Sequence, residues 1–576
     1  MAEIDYPLLV FPEPALAERA KRTGFGGKIN RPEASRQARR LVPQFQRLQE
    51  AMDNRRLALQ ENPLGIQPEL VLVLETIGPI EDFIRAVNRI RGLEWLGEGE
   101  FDDMPPEFGF EDPENENKLL KGQLFLVMTD QRALNEMRSL FEAWERDPDA
   151  SFPYGLARLK HAFEHLRTIR PWGVEDRIRE TGILEDWAAR LEQDQAYVPF
   201  EAELWFRKTP LGREQAESQL REVIDSVKGQ VVGQCLIPEI GYHALLGRLP
   251  RVSVQAIIDD IEAFRDILLL QCEDLMHVRP VGQCTFPISR TEETELLAVN
   301  ELDQLVHQRE LPKGEPAIAL LDGMPLTGHV LLDERLKVDD PDEYEAAYQA
   351  HERVHGTGMA SLICYGDLNH PGAPADRPVY VRPILQPRRG FNREFVEEIP
   401  DSVLPVDLIH RAVRRLFDGD ESQPAVAPEV QVISLSVGNL ARPFLREMSA
   451  WARLLDWLSW RYQVLFVVSA GNHSHEVELR LPRRALDGLS AEIRERRVVE
   501  ALAADTRNRR LLSPAETLNG LTIGAAHDDD GPRPVRGLGI DPFVGRCQWQ
   551  PKTAHFWQLK TAHLCLGGRG RSRCPE

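Results

Sequence analysis

ELVLVLETIG, beginning at Glu69, is a short apolar run between polar residues, closed by a glycine, and predicts a strand. PIEDFIRAVNRIRG repeats its apolar positions every three or four residues and predicts an amphipathic helix. LEWLGEGE and KGQLFLVMTD then predict two strands, and QRALNEMRSLFEAWERD a second helix. The order is β-α-β-β-α. A stretch read as helical, ARLKHAFEHLRTIRPW through DWAARLEQDQ, precedes a second run of similar order. There FEAELWFRK predicts a strand, GREQAESQLREVIDSVKG a helix, QVVGQCLIP and YHALLGRLP strands, VSVQAIIDDIEAFRDILLL a helix and EDLMHVRPVGQ a closing strand. Two ferredoxin-like units in tandem account for the pattern, since a split β-α-β arrangement buries one sheet face under two helices. A single irregular α+β domain accounts for it nearly as well.

Past Pro316 the pattern changes. PAIALLDG, RPVYVRPIL, EVQVISLSVG, YQVLFVVSAG and NGLTIGAA are short apolar runs ending in small or turn residues, several of them separated by helical patterns. Near-continuous apolar strands alternating with helices predict an α/β domain, a parallel sheet covered on both faces. Chemistry on such a sheet sits at the carboxyl ends of its strands. The chain thus divides into a leading extension (1–65), an α+β unit (66–150), a helical segment with a second α+β unit (151–286), a polar linker (287–314), the α/β domain (315–537) and a tail (538–576) without clear period.

Composition narrows the partners. The 576 residues carry 91 acidic against 70 basic side chains, a formal net charge of -21, which disfavours an extended phosphate-binding surface and makes nucleic acid a poor partner. The first residues, MAEIDYPLLVFPEPALAERAKR, are acidic where a secretory signal is basic, and Pro12 and Pro14 break their apolar stretch. No run reaches the roughly 18 to 20 apolar residues of a membrane span. Seven scattered cysteines fit reduced thiols in a cytoplasm better than a disulfide framework.

Three positions carry candidate chemistry. Asp322 ends the strand AIALL, His355 opens HGTGMASLI with small residues behind it, and Asn472 follows the strand QVLFVV in SAGNHS. Each alone has an ordinary reading, as a turn, a helix cap or core residue, and a turn. Their joint order, each at a strand end or helix start, is harder to explain that way. At these residues the sequence resembles the subtilisin-like serine peptidases, the subtilases. ALLDG is similar to their aspartate strand, HGTGMASLI to the histidine helix, ISLSVGN to the substrate-binding strand and VVSAGN to the oxyanion-asparagine turn, with NGLTIGAA similar to the strand that follows. The resemblance covers roughly residues 315 to 530 and implies a subtilisin-like fold. Asp322 would orient His355, His355 would act as general base, Asn472 would donate to the oxyanion, and Ser436, Val437 and Gly438 would bind an extended peptide by strand addition. YHALLGRLPRVSVQAII in the second α+β unit resembles, more weakly, the subtilase propeptide, a ferredoxin-like inhibitor and folding aid. Family analogy alone makes an ATPase a candidate partner of the N-terminal region.

Two departures stand out. Gly323 follows Asp322 directly, where the family carries Thr or Ser before the glycine. The nucleophile, expected in a Gly-Thr-Ser motif downstream of Asn472, is not identifiable, since Ser474, Ser490, Ser513 and Ser572 all stand in other settings. A C-terminus altered by frameshift or truncation and a natural pseudoenzyme are both consistent with this. A metal-binding tail through Cys547, His555, His563, Cys565 and Cys574 matches no recognised zinc spacing, so no cofactor or metal is expected. The acidic run DERLKVDDPDEYEAAYQAHE is expected to be a solvated surface, and WARLLDWLSWRY a helix packing its aromatics on the sheet. The expectation is a cytoplasmic serine endopeptidase of impaired activity, or a non-catalytic peptide-binding pseudoprotease.

Overall fold

A computed structural model of the chain describes residues 29–61, 69–259, 272–282, 310–366, 373–389, 395–419, 424–471 and 488–524, apart from 79, 81–82, 194, 446 and 506–508, with isolated positions 269, 479, 481 and 485. Residues 1–28, most of the expected linker, Asn472, Ser474 and the tail from 538 lie outside the described residues. The chain forms two compact units, Met1–Gly173 and Val174–Glu576.

The first unit runs α1 (Ala34–Glu61), β1 (Glu69–Ile77), α2 (Phe83–Val87), β2 (Leu93–Met104), β3 (Leu120–Asp130), α3 (Gln131–Arg146), α4 (Ala157–His165) and β4 (Leu166–Pro171). Its strands form an antiparallel sheet in the order β2-β3-β1-β4. The alternation of β1 sends Leu70, Leu72 and Leu74 to one face, where Leu41, Phe45 and Leu48 of α1, Phe141 of α3 and Phe163 of α4 cover them. LRTIRP, read from sequence as part of a helix, is instead the edge strand β4. Its Leu166 and Ile169 are buried against β1, and Thr168 and Ile169 are β-branched, so the extended backbone buries what a further helical turn would not.

The second unit begins with α5 (Val174–Ile178), α6 (Ile183–Leu191), β5 (Tyr197–Leu204), α7 (Pro210–Ser226), β6 (Gln230–Ile237), β7 (Tyr242–Pro250), α8 (Arg251–Asp259) and β8 (Leu275–Arg279). The sheet order β6-β7-β5-β8 repeats that of the first unit, so both α+β regions have the split β-α-β layout. Then follow β9 (Ile318–Asp322), β10 (Leu336–Val338), α9 (His355–Tyr365), β11 (Val379–Pro383), β12 (Gln386–Arg389), β13 (Phe395–Glu398), α10 (Pro405–Phe417), β14 (Val432–Leu435), β15 (Asn439–Pro443), α11 (Ala450–Tyr462), β16 (Leu465–Ser469), α12 (Ala491–Ala504), β17 (Leu512–Ser513) and β18 (Leu521–Ile523).

Six of these strands make a parallel sheet in the order β10-β11-β9-β14-β16-β18. Leu320, Val379 and Val381 pack under α9 on one face, and Ala319, Leu321, Ile433, Leu435, Phe466 and Val468 under α10 and α11 on the other. In α11, Trp451 is buried as expected, whereas Trp460 is 67% exposed, because the helix shows only one side to the sheet. The β5–β8 sheet is buried on both faces. Phe200, Ala202 and Leu245 meet α6, α7 and α8, while Ile237, Tyr242, Ala244 and Leu246 join the core beneath α10 and α11. Arg442 with Glu201 (2.6 Å) and Arg190 with Asp401 (2.7 Å) add ion pairs across that contact.

Candidate active site

β9 lies where the strand order reverses, with β11 on one side and β14 on the other. In a parallel sheet all carboxyl ends share one edge, and a crevice opens at such a reversal. Asp322 at the end of β9, Ser436–Gly438 after β14 and Ala470–Gly471 after β16 therefore lie along the same edge. Asp322 is fully buried. Its Oδ1 accepts the Gly323 amide at 2.7 Å and lies 2.5 Å from His355 Nδ1, while Oδ2 has no hydrogen-bond partner among the described residues.

His355 is the first residue of α9, and the small residue behind it decides how near it comes. A Cβ on Gly356 would stand 2.0 Å from the Gly323 carbonyl oxygen, so only glycine lets the helix start press onto the turn after β9. Thr357 secures the same junction, its Oγ1 accepting the Leu326 amide at 2.9 Å and donating to the Arg353 carbonyl. Burial lowers the affinity of the His355 ring for a proton, but the Asp322 carboxylate and its hydrogen bond outweigh this, leaving the imidazole pKa raised. With Nδ1 donating to Asp322, Nε2 is left as the basic nitrogen.

A second carboxyl stands against this pair. Glu397 on β13 is 4% exposed, accepts the His355 backbone amide at 2.9 Å, and receives the Tyr348 hydroxyl at 2.8 Å. Burial and then the neighbouring Asp322 charge push its pKa up to about 7. Sequence reading passed over both residues. Glu397 sits in an acidic stretch, VEEIP, and Tyr348 in the run expected to be solvated, and neither has a local pattern to set it apart. That run is only partly solvated. Tyr344, Tyr348 and Glu352 are buried, Asp339 pairs with Arg415 (2.7 Å), and Asp342 with Arg382 (2.6 Å), because arginines on β11 and α10 cover the carboxylates.

At the expected peptide-binding edge, Val437 and Gly438 are buried and Ser436 is half-buried. Leu512 packs against both glycines of this edge. A Cβ on Gly471, whose φ is +98°, would stand 2.5 Å from Leu512 Cβ, and one on Gly438 would stand 3.4 Å from it. Of the serines considered as nucleophile, Ser490 caps α12, and Ser513 is buried with its hydroxyl 2.6 Å from that of Ser449. Ser474, Ser572 and Asn472 lie outside the described residues, among which no serine hydroxyl bonds His355. Donors with metal-ligand spacing occur in the first unit, at His161, Glu164 and His165 of α4, but the Arg31 guanidinium already pairs with Glu164 at 2.5 Å.

The model of the subtilase family (Peptidase_S8) matches residues 313–550, so this part of the chain is similar to that family. Among solved structures, the nisin leader peptidase NisP of Lactococcus lactis is similar at 13% identity and a TM-score of 0.21, over 38% of this chain and 58% of that one. The chain thus spans under two thirds of that peptidase's length. No curated protein matches significantly. Among the described residues, no helix is long and apolar enough to cross a membrane.

Proposed function

We propose that residues 315–537 act on peptide bonds as a subtilisin-like serine endopeptidase. The observation that carries this reading is the buried Asp322–His355 pair at the carboxyl edge of the parallel sheet, beside Ser436–Gly438. Asp322 holds the ring by Nδ1 and stabilises the imidazolium. Nε2 takes the proton of a serine hydroxyl as it attacks the peptide carbonyl and returns it to the leaving amine. Asn472 serves as oxyanion donor, and an extended substrate pairs with the backbone of 436–438. The second α+β unit serves as the propeptide-like element, a role supported by the seating of its sheet on the core under α10 and α11. A cytoplasmic setting and an ATPase partner rest on the cysteine pattern and on family analogy respectively, and co-purification tests the partner.

One observation favours a second reading, a peptide-binding protein without catalysis. No serine after Asn472 stands in a Gly-Thr-Ser setting. A serine-directed fluorophosphonate probe separates the two. The peptidase reading expects labelling that His355→Ala abolishes; a folded protein that binds peptide and stays unlabelled is the pseudoprotease.

A further inference from the structure

The turn after Asp322 departs from the family pattern at Gly323, and the structure shows what stands in the space so freed. A Cβ on Gly323 would lie 2.0 Å from Glu397 Oε1 and 3.1 Å from the Tyr348 hydroxyl. The carboxyl of Glu397 therefore lies directly against the backbone that follows the aspartate. Its other oxygen accepts the amide of His355, the first N–H of α9, which has no partner within its own helix. One side chain thus touches the residue after the acid and the backbone of the base. Tyr348 fixes it from behind, with its hydroxyl 2.8 Å from Oε1 and 3.1 Å from the Leu385 carbonyl.

We propose that Glu397 is a positioning residue for the Asp322–His355 pair, a second carboxyl that anchors the start of the histidine helix and replaces the side chain missing at position 323. The proposal rests on the reading of Asp322 and His355 as the acid and base of the site. Glu397 makes no contact with a reacting atom and works through His355. Among the described residues, the titratable groups facing it include Asp322 on β9, His355 on α9 and Tyr348 in the segment before α9. Burial and the repulsion between two carboxylates beside one imidazole raise Glu397 to about 7, and the ionised fraction of Glu397 adds to the Asp322 charge that holds the imidazolium.

The test is NMR of the ring nitrogens and the Nδ1 proton of His355 in the full chain, assigned by loss in His355→Ala. Glu397→Gln keeps the acceptor for the His355 amide and removes the charge. It is expected to retain the downfield Nδ1 proton while the titration midpoint of His355 falls, because one of the charges that raise it is gone. Glu397→Ala is expected to lose that proton to solvent exchange. Gly323→Ala, which drives a methyl into the carboxyl, is expected to lower Tm, and Glu397→Ala in the same chain to restore most of the drop. An unchanged ring titration and Nδ1 proton in both Glu397 variants overturns the proposal, as does a Gly323→Ala penalty of equal size with and without Glu397. Asp322→Asn separates this failure from that of the underlying reading. If it too leaves His355 unmoved, the acid–base assignment itself falls; if it shifts the ring while the Glu397 variants do not, only the role of Glu397 falls.

Discussion

Two groups of buried carboxylates in the Val174–Glu576 unit differ in what faces them. Where the β5–β8 sheet meets the core under α10 and α11, each acid has an arginine, Glu201 with Arg442 and Glu203 with Arg279 at 2.8 Å. At the edge of the parallel sheet, Asp322 and Glu397 face one histidine and one tyrosine. The proton affinities diverge accordingly. Burial alone would raise Glu203, but Arg279 and its neighbours outweigh it and hold the group well below the usual glutamate range. Glu397, with another acid as its strongest electrostatic neighbour, is pushed up to about 7. Matched charges hold two layers together; mismatched charges leave a group ready to exchange protons near neutrality.

The largest effect should come from unmatching the first setting. Arg442→Ala leaves Glu201, whose side chain is 3% exposed, buried without its cation, and should cost about 3–5 kcal/mol in chemical denaturation. Replacing both partners, Glu201→Leu with Arg442→Met, should recover most of that loss, which shows that the cost lies in the stranded charge. Gly356→Ala should come next. Its methyl meets the Gly323 carbonyl, and the overpacking should cost about 1–3 kcal/mol together with the downfield Nδ1 proton of His355.

The smallest and most discriminating effect is in the pH dependence of stability. For Glu203 the ionised form is favoured in the folded state. Its contribution is full above the ordinary glutamate value of 4.5 and is lost as pH falls below it. For Glu397 the protonated form is favoured, so its contribution is full below 4.5 and is lost as pH rises through about 7. Denaturation followed across pH should show Glu203→Gln flattening the acid limb and Glu397→Gln flattening the decline towards neutrality. The same slope change from both variants would remove the distinction between the two settings.

Much of this arrangement was legible in local pattern. The strands ending at Asp322, Leu435 and Ser469 were readable because fully buried parallel strands are continuous apolar runs, and the small residues after His355 marked a closely packed helix start. The edge strand β4 was missed because LRTIRP continues the apolar spacing of α4, and only its pairing with β1 selects the extended form. Tyr348 and Glu397 were missed for a related reason. A charged or phenolic side chain reads as exposed unless something distant covers it, and their partners lie 49 residues apart in the chain.

By itself the sequence determined the alternation of strands and helices, the parallel character of the C-terminal sheet and the order Asp322, His355, Asn472, because periodicity and residue type act over a few neighbours. It also carries the departure at Gly323, but without a cause. Which acids meet arginines and which meet another acid was decided only by the tertiary structure, because burial and Coulomb interaction depend on distance in space. That is why Gly323, a departure in one dimension, becomes in three the space that Glu397 fills.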